Sequence, residues 1–289
     1  MKLFFIHGRS QEGKNPETLR LLWINTLKKG LEESSLSLPV EEDIIFLPFY
    51  GDLLDELVTD YNLPLENINQ KGGISDSREI QFLNDLLSEV SDNAGVTNED
   101  IKQEIDAVET EKSALNWKWV RAILKAIDKK EKWSEATLKK FTLDVFLYLT
   151  NPNIRQEIDT IVKKDMDTEP CIVVGHSLGS IIAYNILKNN PNLEVVKFFT
   201  LGSPLGLSSV KKYLSPIKMP ECVVSGDWYN AFDKRDFVAL RPLDKNNFNI
   251  DPEITNYGSI NNHTPNRHGI EGYLNDKTVA EMIYKALSR

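Results

Sequence analysis

The stretch Cys171-Ile-Val-Val-Gly-His-Ser-Leu-Gly-Ser180 decides how the rest of the chain is read. An apolar run of strand length passes straight into Gly175-His176-Ser177-Leu178-Gly179, and a helical segment, Ser180 to Asn189, follows at once. A strand that becomes a helix with no loop between them must bend sharply at Ser177. The two glycines fit that bend, because side chains at 175 and 179 would collide with neighbouring elements. The bend lifts Ser177 Oγ above the sheet edge, at the positive N-terminus of the next helix. Ser177 is therefore the candidate nucleophile.

Outward from this point, short β-branched and aromatic runs alternate with helical periodicity. That is the pattern of an α/β fold, a mostly parallel central sheet flanked by helices. Strands are expected at Lys2 to Ile6, Asp43 to Leu47, Cys171 to Gly175, Val195 to Leu201 and Glu221 to Ser225, with a weaker sixth around Glu253 to Ile260. Several are apolar throughout, as when both faces of a parallel sheet are covered. Helices are expected at Pro16 to Leu31, Asn153 to Lys164 and Asp276 to Ser288.

Between Leu47 and Cys171 no strand is evident, and residues 51–150 read as a helical cap inserted into a core made of 1–50 and 151–289. Leu83, Leu86, Leu87 and Val90 recur at helical spacing, as do Ile101, Ile105, Val108, Leu115, Trp119, Ala122, Ile123 and Ile127. Gly72-Gly73 and Asp92-Asn93-Ala94-Gly95 punctuate the segment. Trp117, Trp119 and Trp133 suit either the cap's own core or a pocket wall, the former being preferred.

The quoted stretch resembles the nucleophile elbow of the α/β-hydrolase superfamily, in particular its lipase-like and esterase-like serine hydrolases. The resemblance covers nearly the whole chain apart from the insertion. It implies an α/β-hydrolase fold with a helical cap, lacking the family's first two strands. Phe4-Phe5-Ile6-His7-Gly8-Arg9 is similar to the family's His-Gly strand end, which implies an oxyanion hole formed by the backbone N–H groups of Arg9 and Leu178. His7 then has a structural role, and His176 is a packing residue pointing away from the nucleophile.

The family order is serine, acid, histidine. Downstream lie Asp227, Asp233 and Asp236. Asp236-Phe-Val-Ala resembles the family's Asp-x-Val-Pro loop and makes Asp236 the preferred acid, ahead of Asp233 and then Asp227. Of the two downstream histidines, His268 is similar to the residue that precedes the family's final helix, and it is preferred over His263. Thr200-Leu-Gly-Ser-Pro-Leu-Gly206 resembles a lipase-type segment and suits either the rim of the site or a structural turn. Trp228-Tyr229-Asn230 suits either a pocket wall or loop packing.

The expected activity is hydrolysis of a small-molecule or lipid ester of a carboxylic acid, through a Ser177–His268–Asp236 triad and an acyl-enzyme. Thioesterase or acyltransferase chemistry on the same residues, and a non-catalytic ligand-binding role, are the alternatives. This chemistry calls for no cofactor and no metal.

Composition agrees with a globular chain, at 41% hydrophobic and 27% charged residues. A net charge of −9 repels nucleic acid and anionic lipid, so neither is an expected partner. No run approaches the roughly 18 apolar residues of a membrane span, and Leu3 to Ile6 is too short for a signal segment. Cys171 and Cys222 each open an apolar run and read as buried strand thiols of a cytoplasmic protein. The charged cap helices permit a protein partner without indicating one.

Overall fold

The computed structural model describes residues 1–60, 77–107, 115–130, 133–239, 241–265 and 267–289. The chain opens with β1 (Lys2–Ile6), α1 (Pro16–Glu32), β2 (Ile45–Phe46) and α2 (Gly51–Asp60). A helical series follows: α3 (Ser77–Asn93), α4 (Asn98–Ala107), α5 (Leu115–Lys130), α6 (Glu135–Thr150) and α7 (Pro152–Lys163). Then come β3 (Cys171–His176), α8 (Leu178–Asn189), β4 (Val195–Leu201) and α9 (Ser208–Leu214). The chain ends with β5 (Trp228–Ala231), β6 (Thr255–Tyr257), α10 (Glu271–Leu274) and α11 (Lys277–Leu287). The expected turn at Gly72-Gly73, Val108 and the side chain of Trp117 lie outside the described residues.

Among the described residues the strands form one sheet in the order β2-β1-β3-β4-β5-β6, and every pairing is parallel. Alternation along β1 explains how helices cover both faces. Phe4 and Ile6 pack with α7, α8 and the helices of the long insertion. Leu3 and Phe5 pack with α1 and α11. Leu86, Ile123, Ile127, Phe141 and Val145 belong to the same hydrophobic cluster as Phe4, Val173 and Ile181, so the helical series is continuous with one face of the sheet.

Because the strands are parallel, their C-terminal ends share one edge. The chain runs outward from β1 to β2 and returns to the other side of β1 as β3. The strand order therefore reverses between the ends of β1 and β3, the crevice where open α/β sheets place their sites.

Three expectations need correction. Glu221 to Ser225 is not a strand. Val223 N–H bonds back to Pro220, and Val224–Gly226 is a 3-10 turn in which Ser225 and Gly226 take positive φ of 54° and 64°. Only an isolated bridge, Val195 to Val223, touches the sheet there. The fifth strand comes three residues later, at Trp228–Ala231, where Trp228 is buried against Phe198 and Tyr184. Trp228-Tyr229-Asn230 is thus buried strand, not pocket wall or loop. The second strand is only Ile45–Phe46, since Glu42–Ile44 winds into a 3-10 turn. The sixth is only Thr255–Tyr257. Cys171 opens β3 as expected, whereas Cys222 sits in the turn before β5, and both thiols are buried and free.

The bend at Ser177 depends on close approach. A Cβ added at Gly179 would lie 2.1 Å from the Ile6 carbonyl oxygen, and one at Gly175 would lie 2.8 Å from Ser180 Cα. These contacts are with backbone, which has no rotamer to yield. Gly179→Ala is expected to cost more than the ~1–3 kcal/mol of ordinary overpacking. Thermal denaturation checks this; a melting temperature within two or three degrees of wild type would refute the packing argument.

Candidate active site

Ser177 stands between β3 and α8 with φ 54° and ψ −128°, a backbone region that costs energy for any residue with a side chain. Its N–H is held by the Leu201 carbonyl at the end of β4 (3.1 Å). Its carbonyl accepts from Ser180 Oγ (2.6 Å), which in turn bonds Ser203 Oγ (2.7 Å). The Leu201-Gly-Ser-Pro204 segment therefore lies buried against the elbow and braces it.

Asp236 lies on the loop after β5, and His268 on the loop between β6 and α10. Ser177 Oγ donates to His268 Nε2 at 2.8 Å, and His268 Nδ1 donates to Asp236 Oδ2 at 2.6 Å. In this arrangement the ring is the Nδ1–H tautomer, and the Nε2 lone pair faces the serine proton. All three side chains are buried, with relative exposures of 2%, 1% and 6% for Ser177, Asp236 and His268. Asp236 is further fixed by the hydroxyl of Tyr273, which donates to Oδ2 at 2.7 Å, and by Val238 N–H on Oδ1 at 3.2 Å. Burial, reinforced by Asp236, raises the Tyr273 phenol well above its ordinary range, so it stays a donor.

The other candidates lie elsewhere. Asp233 accepts from the backbone N–H of Arg235 (2.8 Å) and of Asn262 (2.7 Å), tying the acid loop to the histidine loop. Asn262 closes the latter, accepting from Thr264 N–H and donating to the Gly269 carbonyl. Asp227 precedes β5, at the opposite end of the strand from the acid loop, where it pairs with Lys197 and Arg289. His263 is exposed.

Gly8 passes directly beside the serine: a Cβ there would stand 2.9 Å from Ser177 Cβ. Arg9 follows it, and Leu178 opens α8, where the first backbone N–H groups have no partner within the helix. His7 is locked behind them. Its Nδ1 donates to the Gly8 carbonyl (2.7 Å), its Nε2 accepts from Tyr50 N–H (3.2 Å), and its ring stacks on Tyr50 at 3.9 Å. Burial drives its imidazole down to about 4.

His176 is more than a packing residue. Its Nε2 donates to the backbone carbonyl of His268 at 2.8 Å, so the elbow holds the histidine loop directly. Burial and the neighbouring His268 keep it well below the ordinary imidazole range, and therefore neutral. Trp133 is buried against Phe141 and Phe237, as the preferred reading of it expects, and its ring lies 5.3 Å from that of His268. Trp119 packs against the core.

Three groups were not singled out from the sequence: Tyr273, Asn262 and Asp144. Only Asp144 left a trace there, as a lone acid within the apolar run Phe141 to Leu149.

A family model described as lipase (class 3) matches residues 96–244, slightly more than half of the chain. The match takes in α4 to α6 as well as Ser177 and Asp236, and stops short of His268. No curated protein matches the chain.

The neutral His7 generates a pH test. Its folded value lies below the unfolded value near 6.5, so its contribution to stability is complete above pH 6.5 and is lost as pH falls toward 4. Between pH 7 and 5 wild type should lose about 2 kcal/mol more than His7→Gln, whose amide oxygen can still accept from Tyr50. Denaturant melts at the two pH values measure the difference; parallel losses in the two proteins would show that His7 is not held neutral.

Proposed function

The chain belongs to the class 3 lipase family, a lipase-like serine hydrolase acting on ester bonds, and from that membership we propose a mechanism that runs through Ser177, His268 and Asp236. Ser177 Oγ attacks the ester carbonyl as His268 Nε2 takes its proton. The carbonyl π bond opens onto oxygen, and the backbone N–H groups of Arg9 and Leu178 hold the resulting oxyanion. Collapse of the tetrahedral intermediate expels the alcohol, which receives the proton from His268, and leaves an acyl-Ser177. Water, activated by the same imidazole, releases the carboxylic acid and restores the serine. Asp236 keeps the imidazole in the Nδ1–H tautomer and stabilises the imidazolium in each half-reaction.

One observation carries this reading: the unbroken relay from Ser177 Oγ through His268 to Asp236, at 2.8 and 2.6 Å, inside a buried site. A hydroxyl at its ordinary acidity is a weak nucleophile, and a base at hydrogen-bond distance is what activates it. The substrate is an ester of a carboxylic acid, of small-molecule or lipid type.

The test is reaction with a fluorophosphonate probe together with turnover of p-nitrophenyl esters. Wild type should label stoichiometrically, and Ser177→Ala should not label. His268→Ala should lose roughly 10⁶-fold in kcat and Asp236→Asn roughly 10⁴-fold. His263→Ala should stay within twofold of wild type. Loss of activity in His263→Ala with full turnover by His268→Ala would overturn the assignment of the base.

A further inference from the structure

The loop leaving β1 is held at several points. Tyr50, just ahead of α2, donates its N–H to His7 Nε2 and its hydroxyl to the His7 carbonyl. Further along, the loop is tied to α2 and α6. Arg9 Nε donates to Asp144 Oδ2 at 3.1 Å, and its Nη1 donates to the Thr137 carbonyl at 3.0 Å. One turn away on α6, Lys140 Nζ pairs with Glu12 (2.6 Å) and with Asp55 of α2 (2.5 Å). Asp52 of α2 accepts from Gly13 N–H at 2.6 Å.

The Arg9–Asp144 pair is the costly member of this set. Its side chains are 8% and 1% exposed, and burial pushes the Asp144 carboxyl up to about 6 although Arg9 pulls it the other way. Asp144 Oδ1 has no hydrogen-bond partner among the described residues. Buried ion pairs are weak stabilisers, and apolar side chains of similar volume often serve stability better. What the pair does supply is direction. The guanidinium is a rigid fork, and its two bonds to one helix fix the side chain and the backbone from which it springs. That backbone adjoins Gly8, which touches Ser177.

We propose that Arg9 and Asp144 are positioning residues for the ester hydrolysis put forward above, on which this inference rests: their ion pair uses helix α6 to aim the Arg9 backbone N–H at the oxyanion. Helix α6 then completes the oxyanion hole. The ion pair leaves the attacking serine and its base untouched. Its loss should weaken binding of the tetrahedral species and spare binding of the planar ester.

The test uses the full chain carrying Arg9→Met, Asp144→Leu or both changes, each of which retains the backbone N–H at position 9. Removing an oxyanion donor outright costs ~10²–10³ in kcat, and misaiming one should cost about tenfold to a hundredfold. Each single variant should show that loss in kcat with KM within twofold. Affinity for a trifluoromethyl ketone, which forms a tetrahedral adduct with the serine, should fall by a similar factor. The double variant should be no worse than the poorer single, because both changes cut one link. Should the single variants, each with an unpaired buried charge, fail to fold, the double variant carries neither charge and decides the matter alone. Folded variants with wild-type kcat and ketone affinity, altered only in melting temperature, would overturn the proposal and leave the ester reading standing. A wild-type protein that neither turns over esters nor binds the ketone would sink the ester reading, and this proposal with it.

Discussion

The approach of helix α8 to the end of β1, down to a separation that only glycine at position 179 permits, is the contact on which the site depends. It brings the N-terminus of α8 against the Ile6 and His7 carbonyls and so forces Ser177 into its strained conformation between strand and helix. The same contact sets Gly8 beside the serine, and with it the loop carrying Arg9. Ser177 and the loop carrying Arg9 are therefore placed by one packing event at the point where strand order reverses.

The remaining groups reach the site because parallel strands end together. β3, β5 and β6 deliver Ser177, Asp236 and His268 to a common edge, and a network of buried polar contacts then fixes each loop to the next. His176 reaches the His268 carbonyl, Asp233 spans the acid and histidine loops, and Tyr273 reaches Asp236. Buried polar groups are costly unless partnered, and these three are partnered. Asp144 Oδ1, on the helix that holds the loop carrying Arg9, is buried without a partner among the described residues.

Much of this was legible in the sequence where a local rule applies. The elbow announces itself because strand, glycines and helix are contiguous, and the parallel sheet follows from fully apolar strands separated by helices. Legibility failed where tertiary packing overrides local pattern. Glu221 to Ser225 has strand composition, yet Pro220 and the positive φ at Ser225 and Gly226 turn it away, and the bulky Trp228 starts the strand instead. That shift moves Asp227 to the wrong end of β5 for chemistry. The role of His176 was hidden because its partner is a backbone carbonyl 92 residues away. Tyr273 was hidden for the same reason, its acid lying 37 residues distant. Long-range pairs of this kind have no periodicity to betray them.

Acylation of Ser177 during turnover is the step on which the proposed mechanism stands. The most direct measurement is acid quenching within the first turnover of a p-nitrophenyl ester, followed by peptide mass spectrometry. A burst of one nitrophenol per chain and an acyl mass increment on Ser177 are expected. Turnover with the increment on another residue, or undiminished turnover by Ser177→Ala, would contradict it.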